Sequence, residues 1–576
     1  MHVARVVSRQ GGREYVSYLV RQTYREDGKV KNRTLANLSA LPQSAIDAVR
    51  RSLAGEALVP ALEALTIQRS LPHGHVAAVL GSARKLGLDQ LLDAQPSRQR
   101  DLVLAMIVAR ILEPASKLAT TRLLGTTSLG SVLALEEATE DELYSAMDWL
   151  LERQEAIEGR LLRRHLGAEK VVLYDLTSTY MEGERCPLTR RGYSRDGKPT
   201  KPQIEFGLLT TRSGIPLALE AYAGNTADPT TFPDQVAKLQ QRFGEQAVVW
   251  VADRGMLTSA RVARLQEIKG AHWLTALRSP AIKQLVEKGT IQPSLFDERN
   301  LAEVTDERFP GERLVVCYNP LLAEERARKR EDLLLATEQE LARVAAMVER
   351  GAAGGRAGLQ GAAAIGERVG RVVNKHKVAK HFLRTISEQS FSYHRDEAAI
   401  AAEAALDGIY VLRTNVSAER LDAPDVVLAY KDLAHVERAF RHFKLSDLEV
   451  RPIYHHREPR VRAHLFLCML AYWLLHHLQS ALAPLLYVDE APPRRPDPVA
   501  KAPRSEAAKR KDQSKRTEDG FPVQSLRTLL ANLGTLAKNR VLPAGADERA
   551  AFFMLTQPTA LQARAFALLG LTLSPK

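Results

Sequence analysis

Cysteine is scarce in this 576-residue sequence, and its three cysteines, Cys186, Cys317 and Cys468, lie far apart. Because no CxxC spacing is present, we expect neither a disulfide framework nor a cysteine zinc site, and a reducing compartment fits. The N-terminus lacks the apolar core of a signal peptide. The most apolar run, residues 465–475, is about half of the ~20 residues that a membrane-spanning helix needs. We therefore expect a cytoplasmic protein with no membrane segment, in which this run forms a buried helix.

Aromatic residues make up only 6% of the chain, whereas 45% of it is hydrophobic and 26% is charged. This mixture is typical of a helix-rich protein with one or more sheets, and the length allows roughly three to five domains. Negative charge is in deficit, since 68 acidic residues face 81 lysines and arginines, a net charge of +13. That balance suits an anionic partner such as nucleic acid, but a basic protein without one fits equally well.

The first 168 residues divide into a basic lobe and a helical region. Residues 15–35 predict a β-hairpin, because two β-prone runs flank Asp27-Gly28, a dipeptide that accepts a positive φ. Basic residues outnumber acidic ones here, so we assign residues 1–41 to a basic hairpin lobe. Residues 42–168 carry apolar residues at helical spacings of three and four. We assign them to DNA binding or to pairing of protomers, and a purely structural role fits equally well.

From residue 169 onwards, short strands alternate with helices. The strand VVLYDLTS is followed by a basic loop, and IEFGLLTT and IPLALEAY then predict a second hairpin that turns at Ser213-Gly214. A helix over residues 230–243 leads to the buried strand AVVWVADRG, and a further helix and the strand HWLTALR follow. Three antiparallel strands, a helix and more strands alternating with helices predict an α/β fold. We expect a ribonuclease-H-like core over residues 169–278 and 409–480.

Two further regions depart from this alternating order. Residues 279–408 contain a strand, a long charged helix from about 321 to 350, a Gly/Ala-rich stretch and a basic segment, which together predict an inserted domain. Residues 489–520 are rich in proline, lysine, arginine and alanine and lack apolar periodicity. They predict a disordered basic linker, and residues 521–576 predict a short helical tail.

Two aspartates, Asp175 and Asp253, each end a run of β-forming residues. A carboxylate just past a buried strand projects from the end of the sheet, where solvent reaches it. Two such acids on neighbouring strands would make a site of hard oxygen ligands suited to Mg²⁺ or Mn²⁺. For either aspartate alone, a solvated acid in a turn is the better explanation.

The predicted helix over residues 426–444 carries two adjacent stripes of side chains. The apolar stripe is Val436, Phe440 and Phe443, with Leu433 beside it, and the polar stripe is Tyr430, Glu437, Arg441 and Lys444. One face is therefore expected to be buried, while its neighbour presents an acid between a phenol and cations. A solvated amphipathic helix would produce the same pattern.

The segments YDLTS and VADRGM, together with a Tyr-x6-Glu-x6-Lys helix, resemble the DDE transposases of bacterial insertion sequences. The similarity is greatest to the group with a Tyr-x2-Arg-x3-Glu-x6-Lys signature and a large insertion before the catalytic glutamate. It covers roughly residues 170–278 and 405–480, and GYSRDGKPTKPQ, GNTADPTTF and RPIYHHREPRVRAHLFLCMLAYWLL add to it. The N-terminal hairpin also resembles the opening segment of that group.

The resemblance implies a bacterial, nucleoid-associated transposase whose residues Asp175, Asp253 and Glu437 hold two Mg²⁺ ions, which Mn²⁺ can replace. It implies that the enzyme binds terminal inverted repeats, releases the element through hairpin ends and joins it to target DNA by two-metal phosphoryl transfer without ATP. A homodimer in the synaptic complex is also expected. The alternatives are a ribonuclease-H-like nuclease that never joins DNA and a decayed transposase that only binds DNA. The presence of all three acids argues against the decayed transposase.

Several cations are further candidates for phosphate contacts. The resemblance assigns Tyr430 and Lys444 to phosphates near the cleaved end, although a half-buried tyrosine and a surface lysine would look the same. Where the signature has arginine, this chain has Leu433, and Arg441 on the face of Glu437 is our candidate for the missing cation. Four cations in the loop after Asp175 are also predicted to contact phosphate: Arg190, Arg191, Arg195 and Lys198.

Overall fold

The structure, a computed structural model, describes residues 1–56, 64–167, 170–226, 236, 248–292, 295–445, 447–493 and 497–574. The chain divides into two compact units. The first comprises Met1–His73, Thr535–Pro558 and Ser574–Lys576, and the second comprises Gly74–Gly534 and Thr559–Leu573.

The strands of the described residues are β1 (His2–Gln10), β2 (Arg13–Glu26), β3 (Lys29–Asn37), β4 (Leu65–Pro72), β5 (Val171–Tyr180), β6 (Gln203–Thr211), β7 (Pro216–Ala223), β8 (Val248–Val251), β9 (Ala271–Ala276), β10 (Leu301–Val304), β11 (Arg313–Tyr318), β12 (Phe382–Ile386), β13 (Phe391–Arg395), β14 (Ile409–Thr414), β15 (Ala537–Pro543) and β16 (Phe552–Leu555).

The α-helices of the described residues are α1 (Gln43–Leu53), α2 (Gly74–Lys85), α3 (Leu88–Leu92), α4 (Arg98–Leu112), α5 (Lys117–Thr126), α6 (Leu129–Leu133), α7 (Glu140–Glu152), α8 (Gln154–His165), α9 (Ser259–Gln266), α10 (Ser279–Glu287), α11 (Pro320–Ala352), α12 (Ala362–His376), α13 (Glu397–Ala404), α14 (Ala423–Lys431), α15 (Leu433–Lys444), α16 (Glu458–Ala481), α17 (Glu506–Ser514), α18 (Leu526–Gly534) and α19 (Ala560–Leu569).

The first unit contains two small antiparallel sheets. In one, β2 pairs with β3 through a turn at Asp27-Gly28, where both residues have positive φ, as predicted. The N-terminal lobe is nevertheless more than a hairpin, because β1 pairs with β2 as a third strand. In the other sheet, β15 lies between β4 and β16. Residues 521–576 therefore contain strands as well as the expected helices, since pairing with a strand more than 450 positions earlier leaves no local sequence signal.

The second unit is built on an eight-stranded sheet in the order β10-β11-β14-β9-β8-β5-β6-β7. β5, β8 and β9 run parallel, and β6 and β7 extend the sheet as an antiparallel hairpin beside β5. The α/β class and the hairpin around Ser213-Gly214 are thus confirmed. The helix predicted over residues 230–243 lies, apart from Val236, outside the described residues.

The segment 279–408 combines strands of the large sheet with a cluster of its own. β10 and β11 pair next to β14 and so extend the main sheet, a placement that the insertion hypothesis did not include. The long helix α11 corresponds closely to the predicted 321–350 helix. It packs with α12 around a separate core that includes Leu341, Val344 and Val369. The part of the insertion with its own core therefore begins with α11.

The helix α16 contacts α4, α7 and β7. Every side chain of the apolar run 465–475 is buried in this helix, as predicted. No helix among the described residues is long and apolar enough to cross a membrane. All three cysteines are buried and unpaired.

The segment 489–520 differs from the disordered linker expected from its composition. It contains α17, which is capped by Ser505, whose hydroxyl accepts a hydrogen bond from the Ala508 amide at 3.1 Å. Lys511 is buried and donates to the Ala483 carbonyl and to Glu490. A capping hydroxyl and a buried lysine, rather than an apolar stripe, order this helix, which explains why periodicity failed to reveal it.

Candidate active site

Asp175 and Asp253 occupy equivalent positions on neighbouring parallel strands. In the pairing of β5 with β8, Leu173 lies opposite Val251, and each aspartate lies two residues beyond its member of that pair. Adjacent strands are about 4.8 Å apart, so the two acids leave the sheet side by side. β5 itself continues to Tyr180 because it also pairs with β6, so Asp175 lies within a strand rather than at its end.

A tight turn fixes the carboxylate of Asp253. Its Oδ1 accepts hydrogen bonds from the amides of Gly255 and Met256, both at 2.9 Å. A Cβ at position 255 would lie 3.2 Å from that oxygen, so glycine allows the close approach. Asp175 Oδ1 likewise accepts from the Leu176 amide at 2.8 Å. Within the described residues, the second oxygen of each aspartate accepts no hydrogen bond and remains available to a ligand.

The other two acids act electrostatically on Asp175. The pKa of Asp175 is raised to about 7, first by burial and then by the negative charges of Asp253 and Glu437, while the Leu176 amide and Arg195 oppose the shift. Like charges favour the protonated form of a neighbouring carboxyl group. A bound cation would offset this repulsion, so the oxygen donors fit a divalent metal ion such as Mg²⁺.

Glu437 is exposed on α15, whose other face is buried as predicted through Val436, Phe440 and Phe443. The two phenylalanines pack on Phe206 of β6, with ring centroids 5.7 and 6.0 Å away. This packing places the helix across the strand next to β5. The hydrophobic stripe therefore determines which side chains of α15 face solvent.

The single helix predicted over 426–444 is interrupted at Asp432, which ends α14 and precedes α15. Asp432 forms an ion pair with Arg212 at 2.8 Å, a long-range contact without a sequence signal. Tyr430 and Glu437 thus lie on different helices. The pKa of Tyr430 is nevertheless raised to about 12, first by burial and then by the charges of Asp253, Asp175 and Glu437, against Arg254. The phenol lies within the field of all three acids.

The described residues include no group of three or more His, Cys, Asp or Glu side chains placed to hold a metal ion. Asp253 and Glu437 act electrostatically on Asp175, but the three acids do not form such a ligand group among these residues. Their convergence on one metal site stays a prediction.

Lys444 is bound inside the protein. Its ammonium group donates to Thr177 Oγ1 and to the Ser178 carbonyl, both at 2.5 Å, and to Asp196 Oδ1 at 3.0 Å. Arg451 forms an ion pair with the same Asp196 oxygen. The Asp196 side chain is only 2% exposed, so it is a buried anion between two cations. Nothing in the sequence marked Asp196, because both partners lie about 250 positions away.

The cations of the loop after β5 differ in their surroundings. The Arg195 amide donates to Ser178 Oγ at 2.9 Å, and its charge lowers the pKa of Asp175, so this residue borders the acids. Arg190 donates to its neighbouring Thr189 carbonyl at 2.7 Å. Arg191 and Lys198 are exposed.

Two further arginines lie near the acids in sequence. Arg441 is exposed, and no ion pair with Glu437 forms among the described residues, although the two are four positions apart on α15. Arg254 directly follows Asp253, and its positive charge acts on Tyr430. Leu433 packs against the hydrophobic core. Arg254 belongs to the VADRGM segment noted in the sequence. Its electrostatic effect on Tyr430 depends on the fold and could not be predicted from that segment.

A family model described as "Transposase DDE domain" matches residues 167–474, more than half of the chain. The chain belongs to the DDE transposase family. A second model, "IS1634 family transposase, N-terminal domain", matches residues 3–59. The resemblance to insertion-sequence DDE transposases is thereby confirmed. The protein is a DNA transposase, and a DDE domain implies dependence on divalent metal ions in general.

Other comparisons of this transposase are weaker. No curated protein sequence matches it. Among solved structures, a piggyBac transposase synaptic complex with hairpin DNA is 11% identical, over 80% of this chain and 76% of that one, with a TM-score of 0.32. A Mos1 transposase paired-end complex with the left transposon end is 13% identical, over 33% and 62%, with a TM-score of 0.14.

Proposed function

We propose that this transposase cuts DNA at the terminal inverted repeats of its element and joins the ends to target DNA through Asp175, Asp253 and Glu437. The observation that carries the proposal is the shared field of these acids. Burial first, and then the charges of Asp253 and Glu437, raise the pKa of Asp175, and burial followed by the charges of all three acids raises that of Tyr430. Three carboxylates that act electrostatically on the same phenol are suited to phosphoryl transfer on bound metal ions.

The strand order supports a ribonuclease-H-like core for this chemistry. β5, β6 and β7 form an antiparallel series, and β8 and β9 continue the sheet in parallel on the other side of β5. This is the order predicted for residues 169–278 from the sequence. Asp175 then lies within the central strand β5, and Asp253 follows the neighbouring parallel strand β8.

The carboxylate oxygens of Asp175, Asp253 and Glu437 would hold two Mg²⁺ ions, with Mn²⁺ as a substitute. Bound metal ions would activate the attacking oxygen and stabilise the leaving one during an in-line displacement. The turn at Gly255 holds one oxygen of Asp253 on the backbone and so orients the other. Because the pKa of Tyr430 is about 12, its phenol stays protonated at neutral pH and can donate a hydrogen bond to a phosphate oxygen.

Cations around the acids would position the DNA. Arg195 lies close enough to lower the pKa of Asp175, and Arg190, Arg191 and Lys198 lie in the same loop. We assign these residues to backbone phosphates, together with Tyr430 and Arg441. Lys444 already donates to three protein oxygens, so a phosphate contact would replace one of those bonds.

We further propose that two copies of the chain act together in the synaptic complex. An element has two ends, and one set of three acids acts on one end at a time. The basic sheet of β1, β2 and β3 and the helices before residue 168 would bind the element ends. The chemistry of cutting and the recognition of the ends would then belong to different parts of the chain.

The proposal is tested with labelled DNA that carries an inverted repeat found beside the gene. The full chain should cleave it at the repeat in Mg²⁺ or Mn²⁺ and should then join the cut end to a plasmid. Asp253→Asn should bind this DNA as the wild type does but should leave it uncut. Cleavage without joining would identify a nuclease instead, and binding without cleavage would identify a decayed transposase.

A further inference from the structure

A cavity of about 700 Å³ lies between the large sheet and the inserted segment. Residues from α10, α11, α13 and the end of α12 contribute to its wall, as do Arg254 and Tyr430. The proposed active site and the inserted segment thus share one cleft. Its volume is in the range of small-ligand pockets, and its lining combines apolar side chains such as Leu277, Ile282 and Leu333 with charged ones.

The lining of the cleft is strongly basic. Six lysines and arginines and two carboxylates contribute to it, an excess of four positive charges with the histidines neutral. Asp407 pairs with Arg330, and Glu403 pairs with Lys380 and lies 2.9 Å from His381 Nε2, within hydrogen-bond distance. Both acids are therefore neutralised by cations of the same wall.

The remaining four cations have no carboxylate partner among the described residues. They are Arg254, Arg326, Lys329 and Lys377, and all are exposed. Arg326 donates weakly to the Leu406 carbonyl at 3.4 Å. Unpaired cations from the core and from two helical segments converge on one concave surface, which favours a ligand with several negative charges.

Two residues that line the cleft connect it with the acids. Arg254 follows Asp253 directly, and Tyr430 lies in the field of Asp175, Asp253 and Glu437. A strand with its scissile phosphate at the acids would therefore pass Arg254 and Tyr430 before it meets Lys329 and Lys377. Several backbone phosphates would contact these cations together, whereas a single small anion would use only some of them.

We infer that this cleft binds the phosphodiester backbone of the DNA strand on one side of the cleavage point, an inference that rests on the proposed function. The inserted segment would thereby hold DNA at the active site, with Lys329 and Lys377 as phosphate contacts. Their contribution is independent of base sequence and is sensitive to salt, because each contact releases condensed counterions.

The test compares two double variants of the full chain. Lys329→Gln/Lys377→Asn removes two cations from the cleft, and asparagine suits the positive φ of position 377. Arg343→Gln/Arg368→Gln removes two exposed cations from the same inserted segment, beside a different cavity. Fluorescence anisotropy without divalent ions measures DNA affinity at several salt concentrations. The cleft variant should lower the slope of log K against log salt by about 1.8 on duplex DNA, or about 1.4 on a single strand.

Two DNA probes identify the strand. One ends at the cleavage point, and the other continues into the flank. A slope reduced on both probes assigns the cleft to the element, and a slope reduced only on the longer probe assigns it to the flank. Equal slopes for the cleft and control variants on both probes would overturn the inference. If the cleft variant lowers the slope but the wild type cuts no DNA in Mg²⁺, the proposed catalytic function fails while the binding surface stands.

Discussion

Replacing Asp196 by asparagine would remove one buried negative charge from between two cations while preserving the shape of the side chain. Asp196 is 2% exposed, and its partners Lys444 and Arg451 are 10% and 19% exposed. Losing one partner of a buried ion pair typically costs about 3–5 kcal/mol, because the remaining charge stays desolvated. We expect a loss at the lower end of this range, about 3 kcal/mol. Arg451 stays partly hydrated, and Lys444 retains its hydrogen bonds to Thr177 and Ser178.

Urea unfolding of the full chain measures this loss. Because the m value in urea rises with size and reaches about 3 kcal/mol/M already in small proteins, a loss of about 3 kcal/mol lowers the midpoint of this 576-residue chain by less than about 1 M. Asp519→Asn is a matched control, because its ion pair with Arg564 is exposed and is worth less than about 1 kcal/mol. Adding Lys444→Met to Asp196→Asn should recover part of the loss, since one uncompensated cation disappears. Equal midpoints for the Asp196 and Asp519 variants would refute this account of the buried charge.

Three other predictions concern DNA and stability. Arg441→Ala should slow hairpin formation or strand transfer more than nicking, with Arg441→Lys partly rescuing it; wild-type rates in all three assays would remove Arg441 from the site. Arg25→Gln/Arg33→Gln, on the exposed faces of β2 and β3, should lower the salt slope of end binding by about 1.8, and an unchanged slope would place recognition elsewhere. Burial lowers the pKa of Lys117 to about 7, against 10.5 when unfolded, so the wild type gains stability as pH rises between those values. Lys117→Met should therefore stabilise the chain more at pH 6 than at pH 9, and an equal or reversed gain in thermal midpoint would contradict this.

The sequence predicted the features that depend on local pattern. The turn at Asp27-Gly28, the hairpin at Ser213-Gly214 and the buried stripe of α15 follow from φ preference and from helical or strand periodicity. The position of Asp253 just past β8 also followed from a run of β-forming residues, whereas Asp175 lies within β5 because β5 continues beyond it in its pairing with β6.

Features that depend on contacts between residues far apart in the sequence could not be predicted in this way. The interruption at Asp432 is held by Arg212, more than 200 positions earlier, and the neighbours of Asp196 come from α15 and the segment after it. β10 and β11 join the main sheet only because β14 pairs with β11. Hydrophobic periodicity records which face of an element is buried, but not which element covers it.

The most direct test of the account is strand transfer by pre-cleaved element ends. The full chain is mixed in Mg²⁺ with an end that carries a free 3′-hydroxyl group and with a plasmid, and joined products are counted beside those of Glu437→Gln. The account predicts joining by the wild type, and no joining by the variant despite equal end binding. Joining by Glu437→Gln at the wild-type rate would contradict the role of Glu437, and with it the proposed set of three acids.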